Sequence, residues 1–403
     1  MTPPRVNAPV RVLIVAPGEC VGGHAHAARD IVEGFAKNPS VSIEFQAISP
    51  RLRGPLRFLT EWKFVRSIVR PLLYIRSLIP ACRRAEVLHV FAAAHTAFLF
   101  GALPALIVAK WTGKPVILNY HDGRAEAHFR WWGPVLRWAI RQAAVLVFPS
   151  PYLQDVFARR GFQGVVVPNV VDTETFTYRS PDPVQPRLIS ARLLERLYAV
   201  DNTLQAFALI KREVPGAVLD IYGTGTAARS LQRSAERLGV EGIRFHGEVP
   251  RSHIAAALAE GGILVNSSRV DNMPHIIIEA FAAGVPVVTT AAGGIPRIVT
   301  HEQTGLLVPI DQPEGLAAAV LRVLREPGLA VRLAQAAGQE SKRYSWPAAE
   351  RGWLEVYTQC RASPARAWRS SWDATPRAAS SEARGSKAAR AARAAAPSPA
   401  PPK

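Results

Sequence analysis

The chain is poor in cysteine. Three cysteines (Cys20, Cys82, Cys360) stand in 403 residues with no framework spacing, so a reducing cytoplasm is the default compartment. No Cys-x-x-Cys pair and no Cys/His zinc spacing occurs, and no Asp-x-Asp pair offers an obvious metal site. A secretory leader is missing: MTPPRVNAPVRVLIVAP holds only a short apolar run, which reads as a first strand. A membrane span is missing too. Residues His89 to Val108 carry no charge and would suggest one on hydropathy alone. His95, Thr96 and Pro104 interrupt the run, and a strand, a loop and a helix fit it better.

What is present is enough for two domains of ordinary size, with 48% hydrophobic residues for real cores. The formal net charge of +18 invites a nucleic-acid reading, but its distribution argues against one. Arg361 to Lys403 holds nine Lys/Arg and two Asp/Glu; Arg51 to Arg84 holds nine Lys/Arg and one Glu. The rest is close to neutral, and no nucleic-acid-binding motif is visible, so no specific nucleic acid is expected as a partner. In 51–84, Leu56, Leu59, Trp62, Phe64, Val65, Ile68 and Val69 form an apolar stripe at near-helical spacing, with Arg57, Lys63, Arg66 and Arg70 between them. Pro71 and Pro80 are expected to break it. Two readings stand: a helix packed on its domain with a solvated basic face, or an in-plane anchor on an anionic membrane, gaining about 1 kcal/mol per nearby basic residue. The Ala/Arg/Ser/Pro tail 362–403 reads as disordered.

The densest information lies in Asp271 to Pro296, DNMPHIIIEAFAAGVPVVTTAAGGIP. Asp271 and Asn272 make a turn, and Pro274 suits the first turn of a helix over 275–283. Gly284 is placed as its C-cap, Val285 to Thr290 as a buried strand, and Gly293-Gly294 as a turn into another helix. The free N–H groups and dipole of a helix N-terminus attract phosphate. Glu279, eight positions after Asp271, supplies a carboxylate suited to a cis-diol such as a ribose. Together they predict a site for a phosphorylated sugar or a nucleotide.

Other loops follow predicted strands, where parallel sheets place ligands. Gly22 and Gly23 stand in a glycine-rich turn after the strand Val10 to Ala16. His24 and His26 are close by, but a His-x-His pair at a helix start points its rings apart, and no metal is read there. His121 follows the strand Val116 to Asn119, Arg192 the strand Leu188 to Ala191, and Gly223-Thr224-Gly225 the strand Val218 to Tyr222.

These stretches resemble the retaining glycosyltransferases of family 4, which have the GT-B fold. That family's signature is Glu, seven residues, Glu, then Ala, a Gly-Val/Leu-Pro-Val-Val run and Gly-Gly-Ile-Pro. Here Asp271 replaces the first Glu; Glu279, Gly284 to Val288 and Gly293 to Pro296 fall in register. Pro168 to Asp172 with Phe176, and Thr304 to Val308, match further family phrases. The resemblance covers nearly everything before the tail. It implies that Gly22 and Gly23 lie near the donor phosphate and the acceptor, and that His121 contacts the donor sugar. Arg192 would hold the diphosphate, the backbone near Val249 the base, and Glu279 the ribose. Asp271 would hold donor-sugar hydroxyls, with Asn272, Met273, His275 and Ile276 at the helix start beside the phosphates and Gly223 nearby. The family's phosphate-site Lys is absent from Leu193 to Ala199. A charge-assisted contact is worth about 1.5–3 kcal/mol, so Arg196 or another loop has to replace it, or nothing does. A subset of the family has a Tyr here beside an Asp-Asn-Met-Pro signature.

The reading is α/β: a GT-B protein of two Rossmann-like, doubly wound domains facing a cleft. An N-terminal domain (1–180) carries the acceptor surface, and the stiff linker Ser180 to Pro186 leads to a nucleotide-sugar domain (187–345). A helix (346–361) crosses back before the tail (362–403). The implied activity is retaining transfer of a sugar from a UDP- or GDP-sugar to an acceptor hydroxyl, with Arg192, Asp271 and His121 central and no cofactor or metal. A lipid-linked saccharide of cell-surface polysaccharide synthesis is the expected acceptor, on the inner face of the cell membrane. The alternatives are a GT-B protein that binds a nucleotide-sugar without transferring it, and a membrane or nucleic-acid adaptor working through the basic segments.

Overall fold

The computed structural model of the protein describes residues 8–18, 23–48, 50 and 66–362, the side chains of 66–68 excepted. Gly22, the 51–65 part of the basic segment and the tail from 363 onward lie outside the described residues.

The apolar runs become the strands of two sheets. In the first, β1 (Val10–Ala16), β2 (Val41–Ala47), β3 (Val87–Ala92), β4 (Val116–Tyr120), β5 (Val145–Phe148) and β6 (Val165–Val166) lie in the order β2-β1-β3-β4-β5-β6. In the second, β7 (Arg187–Ala191), β8 (Val218–Tyr222), β9 (Ile243–Gly247), β10 (Ile263–Asn266), β11 (Val287–Thr290) and β12 (Leu306–Val308) lie in the order β12-β11-β10-β7-β8-β9. All described pairings are parallel. Parallel strands need helical crossovers, which cover both sheet faces, so inner strands read as unbroken Val/Ile/Leu runs. Strand order reverses between β1 and β3 and between β7 and β10. Such switch points open a crevice at the strands' C-terminal ends.

The first sheet carries α1 (Gly23–Phe35) on one face and α2 (Arg66–Arg84), α3 (Leu103–Thr112), α4 (Ala125–Ile140) and α5 (Pro151–Ala158) on the other. The second is flanked by α6 (Val200–Glu213), α7 (Ala228–Leu238), α8 (Arg251–Ala259), α9 (His275–Ala283), α10 (Pro313–Arg325) and α11 (Leu329–Ser341). The last helix, α12 (Trp346–Ala362), returns to the first sheet. Its Trp353, Val356, Tyr357 and Cys360 are buried in the core beside β1 and α1. The Tyr357 hydroxyl pairs with His89 Nδ1 (3.0 Å), and Asn119 Nδ2 with His89 Nε2 (3.0 Å).

Four local expectations need correction. Pro71 and Pro80 do not break the basic segment; α2 runs through both. Its Tyr74, Leu78, Ala81 and Cys82 are buried in the core, and Tyr74 donates to the Gly101 carbonyl (2.9 Å), so tertiary packing offsets the lost backbone bonds. Pro274 is the N-cap of α9, one position before its first turn. Gly293-Gly294 leads only to a single 3-10 turn, Ile295–Arg297, and β11 begins at Val287. The run from His89 resolves into β3, a π-helical turn (Phe98–Ala102) and α3. Among the described residues no helix is long and apolar enough to cross a membrane.

Candidate active site

All nine residues of α9 are buried. A helix apolar nearly all round belongs in an interior, and Gly284 stops it in the left-handed conformation (φ +77°). The turn before it projects from the end of β10, at the switch point. There the two sheets enclose a cleft of about 1050 Å³. Gly23, His121, Arg192, Gly223, Val249, Asp271, Asn272, Met273, His275, Ile276 and Glu279 all line it. Thus every described site candidate meets in one hollow.

Asp271 and Arg192 arrive from neighbouring strands and pair directly: Arg192 Nη2 donates to Asp271 Oδ2 (2.6 Å). Ser268 Oγ also donates to Oδ2 (3.2 Å), and the Asn272 N–H to Oδ1 (2.9 Å). The Tyr198 ring lies 4.1 Å from the Arg192 guanidinium. Tyr198 thus stands in the stretch 193–199 that lacks a Lys, and it fixes the plane of Arg192 by cation–π stacking. Arg192 Nε is buried without a hydrogen-bond partner. Arg196 does not take up the missing charge: it is exposed and does not line the cleft, whereas Arg251 and Arg124 do.

Two glycines let this wall form. Gly223 (φ +123°) passes the Arg192 carbonyl so closely that a Cβ would sit 2.0 Å from the oxygen. Gly293 (φ +52°) does the same to the Asp271 carbonyl at 2.1 Å, so any side chain at either place would displace the pair. Gly23 differs. A Cβ there would meet only His275 Cδ2, at 3.8 Å, so packing does not demand a glycine.

Glu279 is paired as well. Arg251 Nε donates to Glu279 Oε1 (3.0 Å), and Arg251 Nη1 donates across the cleft to Asp30 Oδ1 of α1 (2.9 Å). Arg251 also stacks on Phe176 (5.3 Å). Burial pushes both acids up against the pull of Arg251, Asp30 to about 6. Arg251 Nη2, Asp30 Oδ2, both ring nitrogens of His275 and His121 Nε2 are buried without hydrogen-bond partners. Buried polar groups ordinarily find partners, so this concentration marks a surface built for polar ligand groups. Burial holds His121 and His275 well below the usual histidine range, helped for His121 by His24 and for His275 by Arg251. Both are neutral near pH 7. The rings of His24 and His26 diverge as expected, His24 edge-on to His121 (5.5 Å) and His26 to His275 (6.2 Å).

The signature turn also joins the domains. Asn272 Nδ2 donates to the His121 carbonyl (3.4 Å), and the Ser150 hydroxyl donates to Asn272 Oδ1. Asn169 Nδ2 donates to the Met273 carbonyl (3.0 Å). The sequence reading did not single out Asp30, Arg251 or Ser150 as site groups. Arg251 had a signal: a cation in the first turn of a helix opposes the helix dipole, and α8 begins with one. Asp30 had none.

Comparison with known proteins follows these features. The family model of Glycosyltransferase Family 4 matches residues 21–175, and that of Glycosyl transferases group 1 matches residues 178–340. Glycogen synthase of Mycobacterium tuberculosis is 28% identical over 272 residues, covering 64% of this chain and 66% of that protein. D-inositol 3-phosphate glycosyltransferase of Streptomyces griseus is 33% identical over 175 residues, covering 41% and 37%. The matches thus span about two thirds of the first relative's length and little over a third of the second's. Among solved structures, HepE of Anabaena in complex with UDP and glucose superposes with a TM-score of 0.68 at 16% identity, over 87% of this chain and 99% of that one. Sucrose-phosphate synthase of Thermosynechococcus elongatus superposes with a TM-score of 0.71 at 17% identity, over 87% and 98%. At those identities the likeness speaks for the fold. Fold, paired family models and relatives agree: the chain has the GT-B fold, and each of its halves matches a glycosyltransferase family model.

Proposed function

We propose that the protein transfers a sugar from a UDP- or GDP-sugar to an acceptor hydroxyl with retention at the anomeric carbon. One observation carries this: Arg192, Asp271, Glu279 and the start of α9, far apart in sequence, converge on one interdomain cleft. The leading N–H groups of α9, at His275 and Ile276, lack intrahelical partners by helix geometry. With Arg192 they stabilise the charge that develops on the departing diphosphate. Glu279 receives the ribose hydroxyls, which displace part of its contact with Arg251; the guanidinium then turns its unpartnered Nη2 to the donor. Asp271 orients the sugar, and neutral His121 offers Nε2 to a sugar hydroxyl. Attack comes from the same face as departure, with no side-chain nucleophile and no metal. The acceptor is a saccharide carried on a lipid in cell-surface polysaccharide assembly.

The test is incubation with a panel of UDP- and GDP-sugars, with and without EDTA, scored for nucleotide release and for product anomeric configuration by NMR. One donor consumed, with retention and EDTA-insensitive, is the expected result. Inversion would overturn the mechanism. A donor that binds but is neither hydrolysed nor transferred would replace the enzyme by a nucleotide-sugar-binding protein.

A further inference from the structure

Thirteen described large apolar side chains are exposed, and eight of them fall on α2, the turn before α3, α3 and α4. These helices share one face of the first sheet, with Leu78, Leu106 and Leu136 turned into a common core. Their outward sides carry Leu72 (62% exposed), Phe100 (62%), Ile107 (51%), Trp111 (68%), Trp131 (71%) and Trp138 (40%). Ile107 and Trp111 are four apart and share a face of α3; α4 kinks at Trp132 (φ -123°), between the exposed Trp131 and Trp138. Lys110 lies over the Trp138 ring (5.4 Å), which joins the α3 and α4 stripes, and Arg130 lies over Trp131 (5.5 Å). The three helices hold eight Lys/Arg and one acid, Glu126, which is ion-paired with Arg159 (2.8 Å).

We infer that this face docks on an anionic lipid bilayer. Indole rings favour the boundary between water and hydrocarbon, where an apolar body and an N–H are both accommodated. Cations among them add attraction to anionic headgroups. Lysine is depleted at protein–protein interfaces; here Lys110 sits over a tryptophan ring at the centre of the face. The surface differs from the one the sequence suggested, since its anchors are the tryptophans of α3 and α4. It also adjoins the cleft. Arg124 lines the cleft, α4 starts at the next residue, and Trp131 lies about 10 Å along the helix. A headgroup-borne acceptor would therefore be presented at the cleft mouth. The docking itself does not depend on the proposed transfer.

Co-sedimentation of the full chain with phosphatidylcholine vesicles, with and without phosphatidylglycerol, tests this beside the double variant Trp111→Ser/Trp131→Ser. The wild type is expected to bind the anionic vesicles, and the double variant about tenfold more weakly, with nucleotide binding and melting temperature unchanged. Equal binding by the two proteins would assign lipid attraction to the other basic segments and overturn the inference. So would no binding by the wild type, or a tryptophan-dependent dimer in place of vesicle binding.

Discussion

The two acidic centres of the cleft are built on opposite plans. Asp271 belongs wholly to the second domain: Arg192, Ser268 and its own neighbour's N–H hold it, and glycines close the backbone behind it. Glu279 is held by Arg251, whose other arm reaches Asp30 in the first domain, and unpartnered nitrogens surround the group. The first centre is set in place within one domain before any ligand arrives, with Arg192 Nε as its one buried unpartnered donor. The second is a bridge between domains with spare hydrogen-bonding capacity. Preorganisation suits the reacting end of a donor, whereas a bridge that yields suits a step in which domains close.

Substitutions can break this contrast. Asp271→Ala should have the largest effect. It leaves a buried guanidinium without its ion partner, a loss of about 3 kcal/mol, measurable by urea unfolding, and kcat should fall about a thousandfold. Asp271→Glu, which restores the family's residue, should recover most of the stability. Arg251→Ala should act mainly on binding, raising the donor KM about tenfold with a smaller change in kcat, because Glu279 and Asp30 remain as buried, uncompensated acids. An equal fall in kcat and kcat/KM would move Arg251 into the chemistry.

Acidity probes the bridge next. Asp30 is pushed up to about 6, by burial first and against Arg251, with Glu33 and Asp172 adding to the rise. A carboxylate raised in the folded state favours folding below its unfolded pKa, and that contribution is lost as pH rises through about 6. Binding runs the other way. Protonating Asp30 frees Arg251 to pair more fully with Glu279, against the ribose. Donor affinity should therefore fall a few-fold from pH 7.5 to 5.5, and Asp30→Asn should flatten the profile. The neighbouring His275, held neutral by burial and Arg251, should not contribute in that window. The smallest effect belongs to Asn272→Ala, which removes the contacts with Ser150 and the His121 carbonyl. It should cost about 1 kcal/mol of stability and loosen the cleft in small-angle scattering.

The same contrast explains what could be read from the chain. Asp271 to Pro296 is local chemistry, a turn, a cap, a buried helix and a strand in succession, and the helix His275–Ala283 with its Gly284 cap stands where the residues place it. Both parallel sheets were legible for the same reason, since each inner strand is an apolar run. The Asp30–Arg251–Glu279 bridge was not, because its three members come from α1, α8 and α9 and meet only once the domains face each other. The helical fate of Pro71 and Pro80 was hidden likewise, since it rests on packing against the sheet. The tyrosine in place of the family's lysine was legible by resemblance, but its stacking over Arg192 needed the loop geometry that brings Tyr198 back.

Isothermal titration of the full chain with UDP, GDP and their sugars, beside Arg192→Ala, tests the central claim most directly. One nucleotide series should bind with one-to-one stoichiometry, and the variant should lose about 1.5–3 kcal/mol of that affinity, the value of a charge-assisted contact. No binding by any nucleoside diphosphate, or equal binding by the variant, would contradict it.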